Sequence, residues 1–204
     1  MGSENRSHFE AVLLEELKTT AMRFKGVVAS KNKLKFKYEK KIVAELFFEH
    51  LARVDAYVLG GMVYGGQIFE CASNFTPPYK SNLFNESCFS FISSGEHYKR
   101  FGREAGGAIK TPEPHVAKEV CAQIVAVLEE FYIPRILACI TPSERTVDDV
   151  LSDPDEYAYP AVFIHCAVKI GELAIDKACI NEALASKKVV KNKAYDTSLL
   201  ADLE

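Results

Sequence analysis

No stretch of this sequence approaches the ~20 consecutive apolar residues that a membrane-spanning helix needs. C-x-x-C, H-x-x-x-H and H-E-x-x-H spacings are absent, which removes the usual signs of zinc binding and of dithiol redox chemistry. The glycine-rich runs lack the Lys-Ser/Thr pair of a P-loop, and the D-x-D-x-D-G order of a calcium loop does not occur. There is no internal repeat. Met1 to His8 is polar, with Arg6 its one basic residue, so a secretory h-region is not expected and the sequons at Asn74 and Asn85 read as chance. Charge excess is also small: a net −3 and a pI near 6.0 give no global pull towards nucleic acid or anionic lipid. These absences lead to an expectation of a cytoplasmic protein with no cofactor, no metal, no membrane and no nucleic acid among its partners.

What is present is enough for a core. The 204 residues are 48% hydrophobic and include 13 Phe and 9 Tyr. A chain of this size buries roughly 70% of its unfolded surface and needs neither metal nor disulfide to fold. The six cysteines at 71, 88, 121, 139, 166 and 179 are widely spaced, several on apolar helix faces, and read as reduced thiols acting as small hydrophobes.

The pattern changes character near Thr111. Residues 31–93 alternate with period 2 and residues 112–185 carry the 3.6-residue period of helices. Strands followed by helices predict an α+β fold: an N-terminal helix, an antiparallel sheet of about 4–5 strands, then helices ending in a helical hairpin. One domain over 7–185 is expected, sheet-rich at 31–93 and helical at 112–185, with 186–204 a frayed tail. The first helix spans about Ser7 to Phe24, with Ser7 and Glu10 as a capping box, an inward stripe of Phe9, Leu13, Leu17, Thr20, Ala21 and Phe24, and closure at Gly26. Strands are expected around Leu34–Tyr38, Ile42–Leu51, Val54–Leu59, Met62–Cys71 and Ser87–Ser93. Gly60-Gly61 and Gly65-Gly66 read as a hairpin turn and a bulge, or as close approach of another backbone. A loop covers 74–86, and a short helix is possible near Glu96–Glu104. A long helix from Glu113 to Phe131 follows, capped by Thr111 before Pro112 and interrupted at Pro134. Thr146–Leu151 predicts one or two helical turns. Glu156–Ile170 and Glu172–Ala185 read as an αα-hairpin about Gly171.

Two charged segments stand out. Lys31 to Lys41 carries six lysines interleaved with Phe36 and Tyr38. Alternation puts those aromatics on the face opposite Lys33, Lys35 and Lys37, so they read as core and the lysines as protection of a sheet edge. Glu144 to Glu156 places six carboxylates in thirteen residues with Arg145 the one cation, and Tyr157 and Tyr159 follow. Such a surface suits a basic protein partner, since charge steers encounter and aromatics anchor it; solvated carboxylates near a helix start are the plainer alternative. The partner-binding candidates are Asp148, Asp149, Asp153, Asp155, Glu156, Tyr157 and Tyr159.

The order of elements, together with the runs Leu128-Glu-Glu-Phe-Tyr-Ile-Pro134 and Val168-Lys-Ile-Gly171-Glu-Leu-Ala-Ile-Asp-Lys-Ala178, resembles small bacterial α+β immunity-type proteins over roughly residues 7–185. What that resemblance implies is direct binding to a cognate toxin with a basic surface, a nuclease for example, and inhibition by covering its active site. An enzyme using a pocket with Cys71, His50 or Tyr64 is the alternative, as is an oligomeric adaptor that pairs through its helical hairpin. Neither run carries catalytic residues, so none is assigned.

Overall fold

A computed structural model describes residues 2–93, 101 and 107–203. The element order is α1 (Gly2–Ala21), β1 (Val27–Ala29), β2 (Lys33–Tyr38), β3 (Lys41–Leu51), β4 (Ala56–Val63), α2 (Gln67–Ala72), β5 (Phe89–Ile92), β6 (Ile109–Lys110), α3 (Ala117–Val127), α4 (Ile133–Ile140), α5 (Arg145–Ser152), α6 (Pro160–Gly171), α7 (Lys177–Ala185) and α8 (Lys193–Ala201). The sheet order is β1-β2-β3-β4-β5, with β6 also paired to β4. Pairing is antiparallel at β1–β2, β2–β3 and β4–β6. The protein is therefore α+β, as its strand and helix periods require.

Contacts group the chain into two compact units, one of residues 1–61 and 91–134 and the other of 62–90 and 135–204. Each unit takes residues from the strand-rich half and from the helical half, so the change of pattern at Thr111 does not mark their boundary. In the first unit α1 packs on β1, β2 and α3. Its inward stripe is as the period predicts, with Phe9, Leu13 and Leu17 fully buried. Tyr57 of β4 meets Phe9 with the rings tilted and 5.0 Å apart, and donates its hydroxyl to Glu10 at 2.8 Å. Arg23 Nη1 donates to both carboxylate oxygens of Glu129, at 2.8 Å, and joins the end of α1 to the turn after α3.

Gly60 and Gly61 do not turn the chain. β4 runs straight through them, because two aromatic rings occupy the space their side chains would fill. A Cβ on Gly60 would lie 2.4 Å from Phe47 Cζ, and one on Gly61 would lie 2.2 Å from Phe91 Cε1. Gly60→Ala is expected to cost about 1–3 kcal/mol through overpacking, read as a lower urea midpoint with an unchanged slope. A midpoint equal to wild type would mean that Phe47 moves aside freely.

Several expected boundaries move for identifiable reasons. Helix α1 begins at Gly2, so Ser7 lies inside it and does not cap it. Gly26 sits beyond the helix end at φ +82°, in the turn into β1, where its carbonyl accepts from Lys37 N at 2.8 Å. The expected strand Met62–Cys71 ends at Val63 and is followed by α2, entered through Gly66 at φ +99°. A Cβ on Gly66 would meet Ile140 Cγ2 at 2.8 Å, so close packing selects the glycine. Thr111 does not cap α3, which starts at Ala117. Its hydroxyl and amide instead both reach Asp55, at 2.8 and 2.9 Å. The core face of α3 runs through Ala117, Cys121 and Ile124 and continues to Leu128, with Val116, Val120 and Val127 half-buried beside it. A π-turn at Leu128–Tyr132 precedes Pro134. It widens the helix where proline lacks an N–H and its ring presses on the preceding turn.

In the second unit α6 packs against α2, α5 and α8, while α7 packs against α5 and α8. The expected αα-hairpin thus gives way to a three-helix arrangement, and the missing helix comes from the segment expected to fray. Asn192 caps α8 by accepting from Tyr195 N at 3.0 Å. Asp196, fully buried, accepts from Lys191 N, Asn192 N and the Tyr79 hydroxyl at 2.7–2.8 Å. A short polar run hides its helical character from a periodicity count. The helix suggested near Glu96–Glu104, with His97, lies outside the described residues but for Phe101.

Candidate functional site

The acidic segment divides into an interior part and a surface part. Arg135, on α4, is the one charged residue in an otherwise apolar helix, and its side chain is 1% exposed. Its guanidinium lies 3.1 Å from Asp153 Oδ2 and 2.9 Å from Glu156 Oε2, and stands 5.2 Å over the Phe89 ring. Tyr157 completes this interior, packed 4.9 Å from Phe89 and 4.7 Å from Phe163. Burial pushes the Glu156 carboxyl up to about 8, although its contact with Arg135 favours the charge. Glu156 and Tyr157, expected on a binding face, are thus inside the second unit, and Asp153 is drawn inward with them. The spacing of carboxylates is the same for a solvated face and for a buried cation's ligands, and Arg135 lies too far back in sequence to be read with them.

The surface part is smaller. Asp149 is held by Arg145 one turn earlier at 2.9 Å. Asp148 and Asp155 are exposed, the latter paired with Lys188 at 2.7 Å. Tyr159 is half-buried and meets Tyr79 edge to ring at 5.6 Å. Asp148 also lies close to Asp176 and Glu182 around Cys179, whose thiol is pushed up first by partial burial and then by these three carboxylates.

A residue with no evident sequence signal organises this surface. Asn82, in the loop between α2 and β5, donates its amide to Tyr157 O at 2.9 Å and to Pro154 O at 3.3 Å. Its backbone N–H donates to Ala158 O at 3.0 Å, and its Oδ1 accepts from Lys191. The loop is thereby fixed alongside 154–158. Two residues on, Phe84 is fully exposed. Beside the loop a cavity of about 260 Å³ is lined by Phe69, Phe75, Ser81, Asn85, Cys88 and Tyr159, among others. An aromatic residue amid the turn formers of 74–86 was the available signal for Phe84.

Cys71 of α2 and Cys166 of α6 are joined by a disulfide, with Cα atoms 5.8 Å apart. This corrects the expectation that all six cysteines are reduced, because the packing of α2 on α6 brings together thiols 95 residues apart. Cys71 therefore brings no free thiol to the pocket of the enzyme alternative, and His50, in the first unit, bonds Asp55 at 2.9 Å. Burial pushes the thiols of Cys121 and Cys139 up to about 12, which leaves almost no thiolate at neutral pH.

No family model, curated protein or solved structure matches this chain. The functional reading therefore rests on the chemistry of the surfaces themselves. Among the described residues, no group of three or more His, Cys, Asp or Glu is placed to hold a metal ion. None of the described helices is long and apolar enough to cross a membrane.

Proposed function

We propose that this is a protein-binding protein of the toxin-neutralising, immunity type, acting in the cytoplasm, and that its docking surface is the Asn82-held loop with the segment around Asp155 and Tyr159. The observation that carries the reading is Phe84: a large apolar ring presented to solvent on a loop fixed by four hydrogen bonds at Asn82. Displaying that ring costs solvation and gains no packing within the chain, which fits an anchor for another protein's pocket. Asp155, in the segment that Asn82 holds and paired with Lys188, and Asp148 elsewhere on the unit favour a basic partner through electrostatic steering. The neighbouring cavity offers the partner an aromatic-lined recess in return.

The test is capture of the tagged protein from its native cells, with co-expression of any captured protein to read toxicity. One stoichiometric basic partner, whose toxicity the protein abolishes, is expected. Phe84→Ala should weaken that complex by about 2–4 kcal/mol. Asp148→Asn with Asp155→Asn should slow association and flatten its salt dependence. Binding unaffected by all three substitutions would remove this surface from the proposal.

A further inference from the structure

The lysine-rich strand of the first unit differs from its sequence reading in two respects. β2 is not an edge: β1 pairs along one side and β3 along the other, so edge protection does not account for its lysines. The lysine face also carries an aromatic after all. Lys33 stands directly opposite Phe47, and Lys35 opposite Glu45, so all four side chains share one face of the sheet. Phe36 lies on the other face, buried in the core, as alternation predicts.

Phe47 is held there by the absence of a neighbour. Its ring tip rests over Gly60 in the space of a missing Cβ, leaving the ring half-buried. Lys33 Nζ lies 5.8 Å from the ring centroid and 2.9 Å from Glu45 Oε2. Beside this platform a cavity of about 430 Å³ is lined by Ser30, Lys31, Asn32, Lys33, Lys35 and Phe48. Between Lys31 and Glu45, six lysines are set against Glu39 and Glu45, a local excess of four positive charges on a chain that is net negative.

We propose that this face binds single-stranded nucleic acid. Alternate residues on a strand stand roughly 6.6 Å apart, a separation comparable to that of successive phosphates in an extended single strand. Lys33 and Lys35, two positions apart on β2, can then track the backbone, with Lys31 in the turn before it, while one base stacks on Phe47, the combination of basic track and aromatic platform that binds single strands without reading sequence. A stacking base displaces Lys33 Nζ from the ring, and a phosphate then competes with Glu45 for it. Duplex is the poorer ligand, since its bases are already stacked on each other. This site is independent of the docking surface proposed above.

The experiment is fluorescence anisotropy of labelled oligothymidylate with the full chain, titrated across salt concentrations. Binding at low salt is expected, with log K falling linearly in log salt. Replacing Lys31, Lys33 and Lys35 by Gln should shrink that slope by about 2, at roughly 0.7 per phosphate contact. The corresponding Arg replacements should retain binding. Phe47→Leu, which keeps an apolar side chain over Gly60, should weaken binding by roughly 5- to 150-fold through lost stacking. Thermal melts of each variant report whether the fold is kept, and Arg rescue keeps the charge test valid if the Gln protein is destabilised. The proposal is overturned by absence of binding at low salt, or by Gln variants that bind like wild type. Equal affinity for inorganic polyphosphate, with no dependence on Phe47, would likewise overturn it in favour of general anion attraction.

Discussion

Arg135→Met is expected to destabilise the protein by about 1–3 kcal/mol near neutral pH, because it strips the cation from the Asp153 carboxylate and leaves the buried Glu156 carboxyl without its polar neighbour. Methionine retains much of the volume against Phe89, so lost packing is a smaller part of the effect. Adding Glu156→Leu to Arg135→Met should recover a large share, since a buried pair replaced by apolar residues is often neutral or better. The wild-type pH profile carries the same signature. Burial raises the Glu156 carboxyl from 4.5 to about 8, so between those values the folded protein binds more protons than the unfolded chain. Stability from this group is complete below about 4.5 and is lost as pH rises through about 8. Glu156→Gln should flatten that part of the profile. A slope between pH 5 and 8 that survives the substitution would place its origin elsewhere.

Reduction of Cys71–Cys166 is the second large effect. The bond closes a loop of 95 residues, and the chain-entropy description assigns such a cross-link about 2–5 kcal/mol. Cys71→Ser, or treatment with a dithiol reductant, should lower the denaturant midpoint accordingly. Protein unfolded without reductant should show the four thiols of Cys88, Cys121, Cys139 and Cys179 to an alkylating agent. After reduction all six should react. Six reactive thiols before reduction, with no midpoint change after it, would mean that the two sulfurs only touch. Alkylation inside intact cells bears on compartment as well, since a cytoplasmic location sits against the rarity of persistent disulfides there.

The parts of this fold legible in the sequence are those where a single face is buried. The α1 stripe and the alternation of β2 follow from period alone, and Phe9, Leu13, Leu34 and Phe36 are core as that period requires. Period says nothing about why a glycine is present. Gly60 and Gly61 look like a turn in one dimension, and only the rings of Phe47 and Phe91, distant in sequence, show why side chains are excluded. The acidic segment fails for a similar reason. Asp148 and Asp155 were legible as surface, but Glu156 and Tyr157 belong to an interior whose cation lies some twenty residues earlier. Asn82 was invisible because its role depends on carbonyls at 154 and 157, not on anything in its own loop.

The division of the chain sets an order of assembly during synthesis. The first unit holds all its residues once position 134 has emerged, whereas the second needs 62–90 to meet 135–204. Cys71 must wait for Cys166, Phe89 for Tyr157, and Tyr79 for Asp196 near the end of the chain. Loop-closure entropy makes such distant pairings late in folding. On the ribosome, then, residues 62–90 wait for 135–204, and Phe69 and Phe75 wait with them, while Phe89 already has β4 to pair with. A chaperone that shields apolar segments would find its substrate in that interval, and a stall within α6 would leave the segment stranded.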